Sequence, residues 1–174
     1  MIQDNATENK IKSLLNSKGE VLVFDEVDST NTLLKDMALN SADEFTVVIA
    51  KSQTKGRGRL GRSFLSKNGG LYLSLLLRPQ KLAEASLMVT VAAAVAVSKA
   101  IEKVCGKTTA IKWVNDLFLD GKKICGILTE GVINPKSGCL EFAVLGIGVN
   151  IVEPMGGFDE FENIAGAIYK SDTD

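Results

Sequence analysis

Two groupings of side chains in this sequence are equipped for chemistry. The first is the run Gly56-Arg57-Gly58-Arg59-Leu60-Gly61-Arg62. Glycines let backbone N–H groups approach a ligand closely. Arg57, Arg59 and Arg62 supply forked donors that match carboxylate and phosphate oxygens. Glycine with arginine suggests a loop that orders when an anion arrives. The second grouping is Asp116 with Lys123, flanking Asp120-Gly121, a two-residue turn signal. Such a turn pairs Leu119 with Lys122, Phe118 with Lys123, Leu117 with Ile124 and Asp116 with Cys125. Asp116, Phe118, Lys123, Cys125 and Ile127 then share one face, while Leu117, Leu119, Ile124 and Leu128 face the core. A lysine for phosphate and an aspartate for metal would suit a nucleotide with its Mg2+.

Each grouping has a plainer reading. The arginine run reads equally as a solvated basic loop or a nucleic-acid contact. The Lys–Asp pair reads as a surface salt bridge worth about 0–1 kcal/mol. Gly56 to Gly61 also matches G-x-G-x-x-G after a strand. A dinucleotide fingerprint must go on to open a helix, and the continuation RSFLSKNGG has no helical apolar period.

Positioning these groups falls to a modest set of elements. VLVFDEV (21–27) and TVVIAKSQ (46–53) read as strands. Between them Ser29 or Thr30 caps a short helix over about 31–39, with Leu33, Leu34, Met37 and Ala38 on one stripe. Residues 54–69 read as a long loop, of the kind that is usually functional or disordered. GLYLSLLLR (70–78) is a strand stopped by Pro79. Leu82 to Val104 is the one long helix, apolar around most of its circumference and so expected to be buried. A strand over 110–114, a hairpin over 117–128 and a last strand over 139–151 follow. FENIAGAIY (161–169) predicts a closing helix. The sum is an α+β fold: a mixed, largely antiparallel sheet packed on a buried helix.

Composition narrows the classes. The 174 residues, 45% hydrophobic and 24% charged, suit one domain. The net charge of −1 hides a segregation: 51–83 hold eight basic residues and no acid, and the rest 12 basic and 21 acidic. With no histidine and three cysteines lacking a Cys-x-x-Cys, a Cys/His zinc site has too few ligands. The same absence excludes Ser-His-Asp and Cys-His catalysis. The N-terminus lacks a signal-peptide apolar core, and the longest apolar run, 87–97, is half a membrane span. A soluble, cytoplasmic protein that meets no membrane is expected.

Six segments occur together in one order: Asp28-Ser29-Thr30-Asn31; Gln53-x-x-Gly56-Arg57-Gly58-Arg59-x-Gly61-Arg62; Gly70-Leu71-Tyr72-Leu73-Ser74; Lys112-Trp113-Val114-Asn115-Asp116; Lys123-Ile124-Cys125-Gly126-Ile127-Leu128; and Gly146-Ile147-Gly148-Val149-Asn150. Over about residues 20–168 the chain resembles the catalytic domain of biotin protein ligases (biotin–[acetyl-CoA-carboxylase] ligases), whose fold is related to class II aminoacyl-tRNA synthetases. The resemblance implies a two-step ligation with biotin, ATP and Mg2+. Biotin is activated to biotinyl-5′-AMP, then passed to a lysine of a biotin carboxyl carrier protein, a subunit of acetyl-CoA carboxylase. No enzyme nucleophile is needed, which fits a chain without histidine.

By position, the resemblance assigns Ser29, Thr30, Asn31 and Gln53 to biotin's ureido end. Gly56, Arg57, Gly58 and Arg59 match the loop over biotin and the adenylate. Lys123 matches the lysine beside the reacting carboxylate and α-phosphate, so Lys123 and Arg59 are the expected catalytic pair. Arg62, Asn115, Asp116 and Asn150 match the nucleotide side, with Asp116 toward the metal, and Phe64 stands where an aromatic stacks on adenine. Val114 replaces a common proline. About 20 residues precede the first strand, too few for a helix-turn-helix, so DNA binding is not expected. The C-terminal β-barrel domain usual in the family is not expected within these 174 residues. Relatives often dimerise through the sheet, so a homodimer is allowed, although no interface signal is visible. Lipoate or octanoate ligation on a related fold, and a non-catalytic biotin-binding remnant, stay open as alternatives.

Overall fold

The computed structural model describes residues 9–13, 19–79 and 85–170. The elements run β1 (Val21–Val27), α1 (Thr30–Leu39), β2 (Val47–Gln53), β3 (Gly70–Leu77), α2 (Ala85–Cys105), β4 (Ala110–Lys112), β5 (Asp116–Leu119), β6 (Lys122–Ile133) and β7 (Leu140–Asn150). Seven strands form one sheet in the order β1-β2-β3-β7-β6-β5-β4. Only β1 and β2 pair in parallel; each other neighbouring pair is antiparallel. This is the mixed α+β sheet expected from the sequence.

Helices α1 and α2 pack on opposite faces of the sheet. Strand alternation decides which residues each receives. Phe142 and Val144 of β7 point to α1, joining Leu34, Ala38, Val48 and Leu76. Leu145 and Val149 point the other way, joining Ala93, Ala94 and Ile101 of α2 with Leu117, Cys125 and Ile127. Ser29 caps α1, accepting from Thr32 N at 3.4 Å. The stripe Leu34 and Ala38 is buried.

The long helix differs from expectation. It buries one face only: Met88 is 67% exposed and Val104 82%. Its apolar residues surround the helix, but the sheet covers a single side of it. The expected start at 82–84 lies outside the described residues. No described helix is long and apolar enough to cross a membrane.

The hairpin register is also corrected. Leu119 pairs with Lys122 and Phe118 with Lys123, as expected, but Leu117 pairs with Cys125 and Asp116 with Gly126. A bulge takes up one residue, Ile124, between them. A one-residue slip exchanges the faces of everything beyond it. Cys125 and Ile127 therefore enter the core with Leu117, and Leu128, expected in the core, lines the opposite face.

Two segments change type. The strand expected over 110–114 ends at Lys112 and turns over 113–115. The closing helix over 161–169 does not form. A 3-10 turn at Asp159–Phe161 leads into extended backbone. Lys123 N donates to Ile164 O at 2.8 Å, Gly166 N to Lys123 O at 2.9 Å, and Ile168 N to Asn150 O at 3.0 Å. The strand ends at Lys123 and Asn150 offer unpaired backbone groups, and satisfying them outweighs a short helix containing Gly166.

Candidate functional site

Beyond Val144, the α1 face of β7 changes character: the next inward positions are Gly146 and Gly148. Gly126 of β6 lies directly across from Gly148. Where side chains disappear, the sheet becomes the floor of a cleft with about 470 Å3 of empty space, part of it open to solvent. A Cβ on Gly146 would collide with the Asn31 amide oxygen. One on Gly148 would come within 2.6 Å of the Phe64 ring, and one on Gly126 within 2.8 Å. The glycines are thus required by close approach, not by backbone conformation.

The N-terminus of α1 closes one end of this cleft with a buried polar network. Thr30 N and Oγ1 donate to Gln53 Oε1 at 2.9 and 3.1 Å. Gln53 Nε2 donates to Ser66 Oγ at 2.8 Å. Ser74 Oγ lies 2.8 Å from Thr30 Oγ1 and 2.6 Å from Asn31 Oδ1. Asn31 Nδ2 donates to Glu130 Oε2 at 2.9 Å and to Leu128 O at 3.4 Å. These groups are bound to one another, yet free valences remain. Ser29 Oγ accepts from Thr32 N, so its O–H can donate to a ligand. Asn31 Oδ1 retains one lone pair.

The arginine loop forms the roof. It is a narrow hairpin arm already closed by backbone bonds, Phe64 N to Gly56 O at 2.9 Å and Gly58 N to Arg62 O at 2.7 Å. It opens no α-helix, only a 3-10 turn, which removes the dinucleotide reading. A 3-10 turn at Arg59–Gly61 makes its tip. Leu60 sits there at φ 57° and is 90% exposed. Arg57 pairs with Glu130 at 3.0 Å; Arg59 donates to Asn115 Oδ1 at 3.0 Å.

Asp28 anchors the base of the arm. Its carboxylate accepts from Lys55 Nζ and Thr54 Oγ1, both at 2.8 Å. The hydrogen bond from Lys55, then that from Thr54, holds the Asp28 carboxyl below its ordinary value. Four of the eight basic residues of 51–83 are matched by acids brought from elsewhere: Asp25 to Lys51, Asp28 to Lys55, Glu130 to Arg57 and Asp159 to Lys67.

Lys123 stands on the cleft floor. Its ammonium lies 2.8 Å from Asp116 Oδ1 and 5.6 Å from the centre of the Phe64 ring. Asn115 Nδ2 holds the same Asp116 oxygen at 3.0 Å. On the far side of Phe64 a second cleft opens, with about 690 Å3 of empty space, part of it open to solvent, lined by Arg62, Leu65, Asn150, Phe161 and Ile164. Phe64 and Lys123 line both clefts.

Most of the residues singled out in the sequence converge here. Ser29, Thr30, Asn31, Gln53, Arg57, Gly58, Arg59 and Asn115 line the first cleft. Arg62 and Asn150 line the second, although Asn150 Nδ2 is also tied to Gly166 O at 2.8 Å. Gly56 lines neither; it is buried beneath the arm, where a Cβ would meet Phe64 O and Ser66 Oγ. Asp116 lines neither and acts through Lys123 and Asn115. Among the described residues no three His, Cys, Asp or Glu side chains are grouped to hold a metal ion.

Sequence reading gave no site role to Glu130, Ser74 or Asp28, although Asp28 and Ser74 stand in two of the six segments. Each is an ordinary polar residue in a strand or turn, and only the network gives it a task. Cys125, expected on the site face, is buried behind it. Burial pushes its thiol up to about 12, so it offers no nucleophile.

Comparison with known proteins agrees with this geometry. Residues 23–150 match the model of the biotin/lipoate A/B protein ligase family. The bifunctional ligase/repressor BirA of Bacillus spizizenii is 39% identical over 150 residues, 84% of this chain and 46% of that protein. The biotin–[acetyl-CoA-carboxylase] ligase of Paracoccus denitrificans is 39% identical over 106 residues, 60% of this chain and 43% of that protein. The biotin protein ligase of Aquifex aeolicus, solved in complex with biotin and ATP, superposes with a TM-score of 0.71 at 33% identity, covering 87% of this chain and 60% of that one. The chain spans less than half the length of these two curated relatives. Fold, motif order and family match agree: this chain belongs to the biotin/lipoate A/B protein ligase family.

Proposed function

We propose that the protein is an ATP-dependent biotin protein ligase, with residues 20–168 as its catalytic domain. The observation that carries this reading is the junction of two clefts at Lys123. One cleft ends in donors and acceptors suited to a ureido group; the other is basic and aromatic, suited to an adenylate.

The first step joins two anions. A biotin carboxylate oxygen attacks the α-phosphorus of ATP, the Pα–O bond to the β-phosphate breaks, and pyrophosphate leaves with the electron pair. The barrier is charge repulsion and alignment, which positioned cations lower. Lys123 at the junction neutralises the carboxylate and the α-phosphate together. Arg59, held by Asn115, reaches over them from the roof. Phe64 offers a face to adenine.

The polar end supplies discrimination. Ser29 O–H donates to the ureido carbonyl, and the spare lone pairs of Asn31 Oδ1 and Thr30 Oγ1 accept its N–H groups. A dithiolane has neither group, so burying lipoate here leaves these valences unpaired, at a cost of about 1–3 kcal/mol each. That asymmetry favours biotin over lipoate.

Asp116 fits a partial magnesium site. Lys123 and Asn115 engage its Oδ1; Asp116 would be the residue to hold a magnesium ion arriving with ATP, and the ion would supply neutralising charge to the phosphates. In the second step a carrier lysine, as free amine, attacks the biotinyl carbonyl. The C–O bond to AMP breaks, AMP leaves, and the amine sheds its proton as the amide forms. The partner is a biotin carboxyl carrier domain, in the cytoplasm. Incubation with biotin, MgATP and such a domain tests this: the carrier gains the mass of one biotinyl group on lysine. A carrier of unchanged mass beside folded protein refutes the ligase.

A further inference from the structure

Glu130 lies on β6, four residues beyond Gly126 and on the same face of the sheet. Its side chain is 21% exposed, and its two oxygens hold two parts of the cleft. Oε2 accepts from Asn31 Nδ2 at 2.9 Å. Oε1 pairs with the Arg57 guanidinium at 3.0 Å. The polar end and the base of the arginine arm are therefore joined through a single carboxylate.

The chemistry of the Asn31 amide gives this a consequence. Rotating the amide by half a turn exchanges its oxygen and nitrogen at almost no steric cost. Ser74 cannot choose between the two, because a hydroxyl both donates and accepts. A carboxylate only accepts, as does the longer-range Leu128 O at 3.4 Å, and at 2.9 Å Glu130 is the nearer and charged partner. Glu130 therefore admits one orientation, with Nδ2 toward itself and Oδ1 toward Ser74 and the cleft. The opposite orientation would set two oxygens against each other.

We infer that Glu130 is a positioning residue for the ureido end of biotin, fixing the Asn31 amide and bracing Arg57. It touches no reacting atom. The inference rests on the biotin-ligase reading, and it assigns to that site a residue that no sequence motif marked. Removing the carboxylate weakens biotin, leaves ATP alone and leaves the chemical step nearly intact.

The test is a pair of variants, Glu130→Gln and Glu130→Ala, beside wild type. Gln keeps the volume but not the charge, and its own amide can match either orientation of Asn31. Calorimetric titration with biotin and with desthiobiotin, which keeps the ureido group, measures binding without turnover. Adenylation kinetics separate KM from kcat. The expected result is a rise of about tenfold or more in Kd and KM for biotin and desthiobiotin alike in both variants. The KM for MgATP stays unchanged, and kcat stays within about threefold. Unchanged biotin affinity in folded Glu130→Gln overturns the inference, as does equal loss toward biotin and MgATP. Tighter biotin binding in either variant overturns it too, since Glu130 would then be restraining the site. Wild type that binds no biotin overturns the ligase reading as well, which separates the two failures.

Discussion

The ammonium of Lys123 lies 2.8 Å from Asp116 Oδ1, although the two residues do not face each other across the hairpin. Lys123 is paired with Phe118, and Asp116 with Gly126. The bulge at Ile124 keeps both side chains on the cleft face while it sends Cys125 into the core. Asp116 thus holds the lysine over Gly126, at the point where the two clefts meet. Lys123→Ala is expected to lower the rate of adenylation by about 100-fold or more. The pair is partly exposed, so stability should change by only about 1 kcal/mol. Single-turnover adenylation and a melting curve on the same sample check both halves. Wild-type adenylation in this variant would remove Lys123 from the account.

Gly148→Ala places a methyl 2.6 Å from the Phe64 ring. The ring also packs edge-on to Tyr72, with centroids 6.4 Å apart, so it cannot give way freely. Overpacking of this kind costs about 1–3 kcal/mol. Phe64→Leu in the same chain should recover much of the loss by removing the ring edge. Denaturant unfolding of the single and double variants measures it. Additive losses would mean that the two positions do not touch.

Ser74 is fully buried and bridges Thr30 and Asn31. Ser74→Ala leaves acceptors in the network without their donor, at a cost of about 1–3 kcal/mol in stability. Biotin affinity should fall with it, because the same two residues face the ligand. Unfolding free energy and biotin titration on one preparation give both values.

Alkaline pH acts through two buried groups. Burial pushes Cys125 up from 9.0 to about 12 and Tyr72 up from 10.0 to about 12. In both, the folded protein binds the proton more tightly than the unfolded chain. Their contribution is complete below the unfolded values and is lost as pH rises through the folded ones. Stability should therefore decline between about pH 9 and 12. Cys125→Ala should flatten that decline. Unfolding curves across this range, for wild type and variant, compare the slopes.

Much of the scaffold was legible because it rests on local signals. Short apolar runs marked β2, β3 and β7, and Asp120-Gly121 marked the hairpin turn. The Ser29 cap placed the start of α1. The errors came from tertiary effects. A single bulged residue reversed the faces of Cys125, Ile127 and Leu128, and no composition signal announces a bulge. Apolar residues all around α2 suggested burial on every side, which only a second layer could provide. The segment 161–169 has helical residues but lies where β6 and β7 present free backbone groups. For the site, Gly146-Ile147-Gly148 stood out only as a motif of the resemblance, and the fold shows it to be a bare strip of sheet. Glu130, 99 residues from Asn31 in sequence, could be joined to it only by the fold.

The central claim is that one cleft activates a biotin carboxylate with ATP. Release of pyrophosphate, measured with biotin and MgATP together and with each omitted, tests it most directly. The account predicts release only when both are present, accompanied by biotinyl-5′-AMP in the mass spectrum, and little or none with lipoate in place of biotin. Folded protein that releases no pyrophosphate with biotin, or releases it equally with lipoate, would contradict it.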